Sequence, residues 1–490
     1  MPVVPSPSTT PAGDLCDRPA REIAALLQTR AVGAVEVLDA FLARIAALNP
    51  ALNAIVTLDP EGARAQAAAI DAARMRGDAP GPWAGLPIAI KDMEATRGMR
   101  TTLGSPVFRD AIPDHDALFV ARLRGHGLVI IGKTNTPEFA MGSQTFNAVF
   151  GATRNPWNPE MTCGGSSGGA AVCVATGMLP FADGSDIGGS LRNPGNFNHV
   201  LGLRPSPGRV PDAPSIESWQ GLSVLGPIAR TASDAAFLLA AMAGPDARDP
   251  LSIAEDPAAF LRSLDRDLRG VRVAVSRTLG GLPVDPEVAR VLDEAAVLLR
   301  RQGCVVEDAE PDLTGADLAF DAGRALFFAA RYAPLLAAHR SEMKDTAVWN
   351  IEQAWALTPQ RIVEAGIART RVFHAMRTFL ERYEFLLAPV NQVPPFPVGE
   401  PFVTAINGVT MGSYIEWMRS CTRISITSHP AASVPCGFTR GGLPVGVQVV
   451  GRYRDEFGVL QMAHAIERAN PAAGRRPSVP AAAGRPCAPR

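Results

Sequence analysis

The stretch TCGGSSGGA at residues 162–170 sets two hydroxyls, Ser166 and Ser167, between pairs of glycines. Bare backbone N–H groups approach an anion closely, and a serine can act as nucleophile or proton relay. A flexible linker has the same composition, so the stretch alone decides nothing. A second cluster, GSDIGGSLRNP at 184–194, follows closely. Consecutive glycines permit positive φ and expose successive N–H groups as an anion-binding nest, and a tetrahedral oxyanion is one such anion. Ser190, directly after Ile187, Gly188 and Gly189, would then sit beside an oxyanion hole formed by the N–H groups of residues 187–190. Upstream, PIAIKDM puts Lys91 at the end of an apolar run. Burial there would lower the ammonium pKa and make the amine a base at neutral pH. A surface lysine at a strand end fits the same pattern equally well.

The elements that must position these groups read as α/β. VRVAVS (271–276) predicts a strand, and Asp285-Pro286 predicts the N-cap and first residue of a helix. Val288, Val291, Leu292, Ala295 and Leu299 then recur at helical spacing, and Gly303 closes the helix. CVVEDAE (304–310) follows as a strand, which predicts a right-handed crossover between parallel strands. PIAI (87–90) and LVII (128–131) are short runs of buried-strand type, with helical character at 116–124 between them. Residues 433–450 predict two strands joined by a Gly-rich turn. Residues 310–385 predict mostly helix and carry no chemical signature. Without a Gly/Ser linker or a repeat, one large domain is expected over 14–469. It would be flanked by poorly ordered segments, Pro/Ser/Thr-rich at 1–13 and Pro/Ala-rich at 470–490.

Bulk properties narrow the partners. A net charge of −1 over 490 residues leaves no electrostatic footprint for nucleic acid or an anionic membrane. No apolar run is long enough to span a bilayer, and the N-terminal residues do not read as a secretory signal. The seven cysteines are scattered and never spaced as CxxC, which predicts reduced thiols in a cytoplasmic setting. Cys163 and Cys173 are expected to be small buried residues rather than nucleophiles. The seven histidines are equally dispersed, so neither a metal site nor a cofactor is expected. GLVIIGKT (127–134) formally fits the phosphate-loop pattern, but Leu-Val-Ile-Ile belongs inside a strand, and nucleotide binding is discounted.

Several segments together resemble the amidase signature family in order and spacing. They are GLPIAIKDM (85–93), GKTNTPEFA (132–140), NPWNP (155–159), GGSSGG (164–169), SDIGGSLR (185–192), GPIAR (226–230) and GLPVGVQVVGR (442–452). The likeness runs from about residue 20 to 468. It implies a single α/β domain with a large twisted mixed β-sheet core covered by helices on both faces. It also implies a Ser–Ser–Lys triad, with Ser190 as nucleophile, Ser166 as bridging serine in a cis peptide, and Lys91 as base. Ser166 would pass the Ser190 proton to neutral Lys91 and later return it to the leaving amine. Ser167 is expected to support the triad, with an N-cap of the following helix as its alternative. Asp186 and Arg192 are expected to form a salt bridge that shapes the nucleophile loop. Ala140 and Met141 match the loop that lines the acyl pocket, whereas His199 matches no role and is expected to pack. Three departures, Ser185 where threonine is common, PGNFNH (194–199) and RPS (204–206), leave the triad intact but leave substrate preference open.

The implied activity is an amidohydrolase that cleaves amides, and esters or carbamates (urethanes), through an acyl-enzyme on Ser190. The expected partner is a small molecule, with no nucleic acid and no membrane, and the chain is expected to act as a monomer or homodimer. The apolar character of residues 310–420 suggests a hydrophobic or aryl substrate. Two alternatives stand beside this reading: an amidotransferase subunit of a tRNA-dependent complex, and a non-catalytic binding protein of the same fold.

Overall fold

The computed structural model describes residues 15–479. The expected poorly ordered segment 1–13 and the final part of the other, 480–490, lie outside the described residues. Strands β1 (Ile55–Leu58), β2 (Pro87–Lys91) and β3 (Val129–Thr134) form a three-stranded sheet in the order β1-β3-β2. β2 runs parallel to β3, and β1 antiparallel to it. Eight further strands build a mixed sheet. They are β4 (Phe181–Asp186), β5 (Leu201–Arg204), β6 (Val224–Ala229), β7 (Arg272–Val275), β8 (Val305–Asp308), β9 (Phe385–Pro389), β10 (Ala431–Phe438) and β11 (Pro444–Val450). Their order is β8-β7-β9-β11-β10-β5-β6-β4. Every residue of β9 and β11 is buried, which requires cover on both faces of the sheet.

Among the helices, α1 (Gly168–Ala175) and α2 (Arg192–Asn198) follow the two Gly-Ser clusters. Helix α3 (Pro286–Arg301) joins β7 to β8, and α4 (Ala316–His339) opens the helical region that leads to β9. The crossover read from the sequence is present: β7 and β8 pair in parallel, and the Asp285 carboxylate accepts the Glu287 N–H at 2.8 Å. The hairpin at 433–450 is β10 and β11, paired antiparallel. The phosphate-loop look-alike lies inside β3, where Lys133 is buried and its Nζ donates to Glu94 O at 2.6 Å and Thr96 Oγ1 at 2.9 Å. No loop exists there to cradle a phosphate.

Two sheets, rather than one, position the groups of interest. Helix α1 is buried along its whole length between them, packed on β4 and β6 on one side and on β1 and β2 on the other. Its sequence, GGAAVCVA, is small enough to fill that narrow gap. Lys91 therefore ends a strand of the small sheet while residues 183–190 leave the edge strand of the large one. The chain stays packed past Ala469: Asn470 Nδ2 donates to Cys436 O at 2.8 Å, and the Arg475 guanidinium lies 4.0 Å from the Phe438 ring centroid. Among the described residues no helix is long and apolar enough to cross a membrane.

Gly202 in β5 abuts the 187–191 loop so closely that a Cβ there would run into the Leu191 carbonyl. Backbone cannot swing aside as a side-chain tip can, so Gly202→Ala is expected to destabilise the fold by about 1–3 kcal/mol, the usual scale of overpacking. Urea unfolding measures this, and an unchanged midpoint would show that the contact is slack.

Candidate active site

Lys91 is fully buried at the end of β2. Its Nζ lies 2.6 Å from Ser166 Oγ, 3.0 Å from Ser167 Oγ and 3.0 Å from Ser185 Oγ. Among the described residues no carboxylate forms an ion pair with it; the Asp183 carboxylate instead accepts the Lys91 main-chain N–H at 3.1 Å. Burial lowers the amine from its ordinary 10.5 to about 8, against the upward pull of Glu94, Asp183 and Asp186. A neutral amine is thus accessible near neutral pH, and the short contact lets the Ser166 hydroxyl donate to it.

The two Gly-Ser loops are stitched to each other. The Gly165–Ser166 peptide is cis, and the Gly165 N–H donates to Asn193 Oδ1 at 3.1 Å. The Ser167 N–H donates to the Ser190 carbonyl at 3.2 Å. Ser167 occupies the N-cap position of α1, yet its hydroxyl makes no capping bond and faces Lys91 instead. The capping bond expected as its alternative is therefore absent.

Asp186 organises the loop that bears Ser190. Both of its oxygens receive Arg192, at 3.0 Å from Nε and 3.0 Å from Nη2, and Arg204 reaches Oδ1 at 3.3 Å. Burial alone would raise this carboxyl, but the two guanidiniums and the loop N–H groups hold it well below the usual carboxylate range. The salt bridge read from the sequence therefore has a third member, Arg204. One element of the expected oxyanion hole needs correction. The Gly189 N–H donates to Asp186 Oδ1 at 2.8 Å, so it is spent inside the loop and cannot face a substrate. Gly189 reaches that geometry with φ +114° and no room for a side chain, because a Cβ would lie 2.7 Å from Cys421 Sγ. The N–H groups of Ile187, Gly188 and Ser190 have no acceptor among the described residues, which leaves them as the available donors.

Ser190 opens on a narrow cavity lined by Ala140, Met141, Phe320, Arg324 and Tyr414 among others. A second cavity of about 200 Å³ shares Ala140 and Ile187 with it, reaches Ser185, and carries Glu94, Asp212 and Arg331. Burial pushes Glu94 up to about 7, and the neighbouring Asp212 and Asp183 carboxylates push it the same way. A larger groove of about 730 Å³ runs along α3, apart from Lys91 and both loops. Lys91, Ser166, Ser167, Asp186, Ser190 and Arg192 are thus gathered at one junction, and Ala140 and Met141 stand at its cavity wall.

Cys163 and Cys173 are buried, and burial pushes the Cys163 thiol up to about 12 and that of Cys173 further. His199 packs between Trp157 and Phe438, with Nε2 2.9 Å from Ala472 O. No group of three or more His, Cys, Asp or Glu side chains that could hold a metal occurs among the described residues. Sequence reasoning missed Asp183, Ser185 and Arg204. The first two alternate along β4, a spacing that puts both on one face of the strand and was there to be read.

Residues 36–460 match the family model described as Amidase. One subunit of the glutamyl-tRNA(Gln) amidotransferase from Moorella thermoacetica is 36% identical over 488 residues, covering 94% of this chain and 98% of that protein. An acylamidase from Rhodococcus erythropolis is 34% identical over 462 residues, covering 94% and 97%. Among solved structures, a bacterial aryl acylamidase of the amidase signature enzymes superposes with a TM-score of 0.88 at 30% identity, covering 96% of this chain and 99% of that one.

Replacing Asp186 by asparagine strips the anion from two fully buried guanidiniums. Breaking a buried pair in this way costs about 3–5 kcal/mol. The variant is expected to unfold at a clearly lower temperature and to lose the rigid loop at Ser190. Differential scanning calorimetry checks the first point, and a wild-type melting temperature would contradict this account of the loop.

Proposed function

This chain belongs to the amidase signature family, and from that premise we propose that it hydrolyses C–N bonds of small-molecule amides through an acyl-enzyme on Ser190. The observation that carries the reading is the buried Lys91 amine, held against three hydroxyls with no counter-ion among the described residues and 2.6 Å from Ser166. Ser190 Oγ attacks the carbonyl carbon, its proton passes to Ser166, and Ser166 gives its own to neutral Lys91. The oxyanion accepts hydrogen bonds from the free N–H groups of the 187–190 loop. As the C–N bond breaks, the proton returns through Ser166 to the departing nitrogen. Water then attacks the acyl-Ser190 ester by the same relay and releases the acid. Esters and carbamates present the same carbonyl to the same groups, so aryl esters and urethanes fall within the proposed scope. The aromatic walls of the Ser190 cavity support substrates with an apolar or aryl portion.

The 36% identity to one component of an amidotransferase favours a second reading, in which the chain releases ammonia from an amide within a complex. Glutaminase activity that appears only with co-purifying subunits would select it. A panel of anilides, aliphatic amides, aryl esters and dicarbamates tests the main reading, and no turnover of any member by the purified chain would overturn it. Covalent labelling by a fluorophosphonate is expected for the wild type and should be lost in Ser190→Ala. Labelling that persists and moves with another serine would reassign the nucleophile.

Lys91 gives the sharper test. An amine leaving group must be protonated as it departs, whereas a nitrophenolate leaves unaided, so the relay acts twice on an anilide and once on its matched ester. Lys91→Ala is expected to lose more rate on the anilide by a factor on the order of 10²–10⁴. The base works only when deprotonated, so the wild-type rate should rise with pH through about 8 and fall on the acid side. That limb should vanish in the variant. Equal losses on both substrates, with the limb retained, would make Lys91 structural.

A further inference from the structure

Helix α4 places Phe320, Arg324 and Phe328 four residues apart on one face, and that face is a wall of the cavity holding Ser190. Phe320 lies against the nucleophile loop: a Cβ on Gly188 would be 2.9 Å from its Cζ. Arg324 is 3% exposed, with its guanidinium 5.4 Å from the Trp349 ring centroid and 5.9 Å from that of Tyr414. Its one hydrogen bond among the described residues runs from Nη1 to Tyr414 Oη at 3.2 Å, and Tyr414 in turn donates to Asn350 Oδ1 at 2.9 Å. Arg324 Nε is buried without an acceptor. The carboxylate three residues earlier, Asp321, is engaged by both terminal nitrogens of Arg419, at 2.9 and 2.7 Å. A permanent cation with five N–H donors thus stands beside the nucleophile, desolvated and without a counter-ion among the described residues. Buried charges are ordinarily paired, and one left open into a cavity is completed by what enters that cavity.

We propose that Arg324 is a specificity-determining residue that binds a carboxylate carried by the substrate, at the end of its acyl portion away from the scissile bond. The inference rests on the amidohydrolase reading above and narrows it to amides with an apolar spacer ending in an anion. Phe320, Phe328 and Met418 cover the spacer, and the guanidinium fork meets the carboxylate. A substrate without an acceptor leaves those N–H groups unpaired in a water-excluded cleft, the situation in which sites discriminate most strongly.

The test compares three 4-nitroanilides that differ only at the far end of a five-carbon acyl chain: glutaric (carboxylate), glutaramic (carboxamide) and pentanoic (methyl). Wild-type kcat/KM is expected to fall in that order, with the carboxylate ahead of the methyl by about 10–100-fold, the range for hydrogen bonds to a charged group. Arg324→Met should erase that advantage, lowering kcat/KM on the glutaric anilide, chiefly through KM, far more than on the pentanoic one. Arg324→Lys, which keeps the charge and loses the fork, should fall between them. A wild type that treats the carboxylate no better than the methyl or the carboxamide overturns the proposal without any variant. So does an Arg324→Met that slows all three equally. If neither variant folds, the wild-type order alone decides. Hydrolysis of nitrophenyl acetate and fluorophosphonate labelling are run alongside. Their failure removes the hydrolase reading and this proposal with it, whereas their success without a carboxylate preference removes this proposal alone.

Discussion

A lysine amine stays neutral near pH 7 only where its charged form is poorly solvated, and burial at Lys91 outweighs the pull of Glu94, Asp183 and Asp186. Water is excluded by burial between two sheets, and helix α1, small and wholly buried, fills the gap. Among the described residues no carboxylate bonds to Nζ: it meets the hydroxyls of Ser166, Ser167 and Ser185, which stabilise the amine without fixing its proton. The Asp183 carboxylate is bonded to the Lys91 main-chain N–H instead. Burying a lysine in this way destabilises its charged form. The fold accepts that cost because the hydroxyls remain as partners for either protonation state.

The opposite arrangement lies a few residues away. Asp186 is as deeply buried as Lys91, but its charge is answered twice over, by Arg192 and Arg204. Arg192 extends the network to Gln448 at 2.5 Å and to Ser425 at 2.6 Å, so the loop bearing Ser190 is anchored to the centre of the large sheet. One buried charge is thus kept labile and the other is locked. The lock at Asp186 matters for Ser190, because a shift of that loop would carry Ser190 with it.

Local signals were legible wherever one segment determines its own conformation. Asp285-Pro286 and the apolar spacing after it specify a capped helix, and the alternation of strand and helix around it specifies the parallel pair β7 and β8. The gathering of Lys91, Ser166 and Ser190 was legible through motif order. The division into two sheets was not, because PIAI and LVII look locally like any other buried strands and only long-range pairing separates them from the larger sheet. The oxyanion nest was overcounted for a related reason: counting glycines counts donors, but Asp186 folding back on Gly189 consumes one of them. Arg204 and Arg324 were passed over because a basic residue at a strand end, or within an apolar helix, resembles a solvated side chain until its neighbours are known.

The apolar packing of the molecule is divided in a way that matters over evolutionary time. Ile88 and Ile90 beside Lys91, Val172 of α1 and Leu191 after Ser190 belong to one continuous core. Phe320, Tyr414 and Met418 belong to a second, and Met141 and Phe328 to a third. The floor of the cleft and its walls are therefore rooted in different hydrophobic bodies. Mutation can reshape a wall and be absorbed there, with no repacking beneath Lys91. A lineage built this way can drift from one acyl group to another while inheriting its chemistry intact, and proteins as differently named as an amidotransferase component and an acylamidase stand at about one-third identity to the same chain.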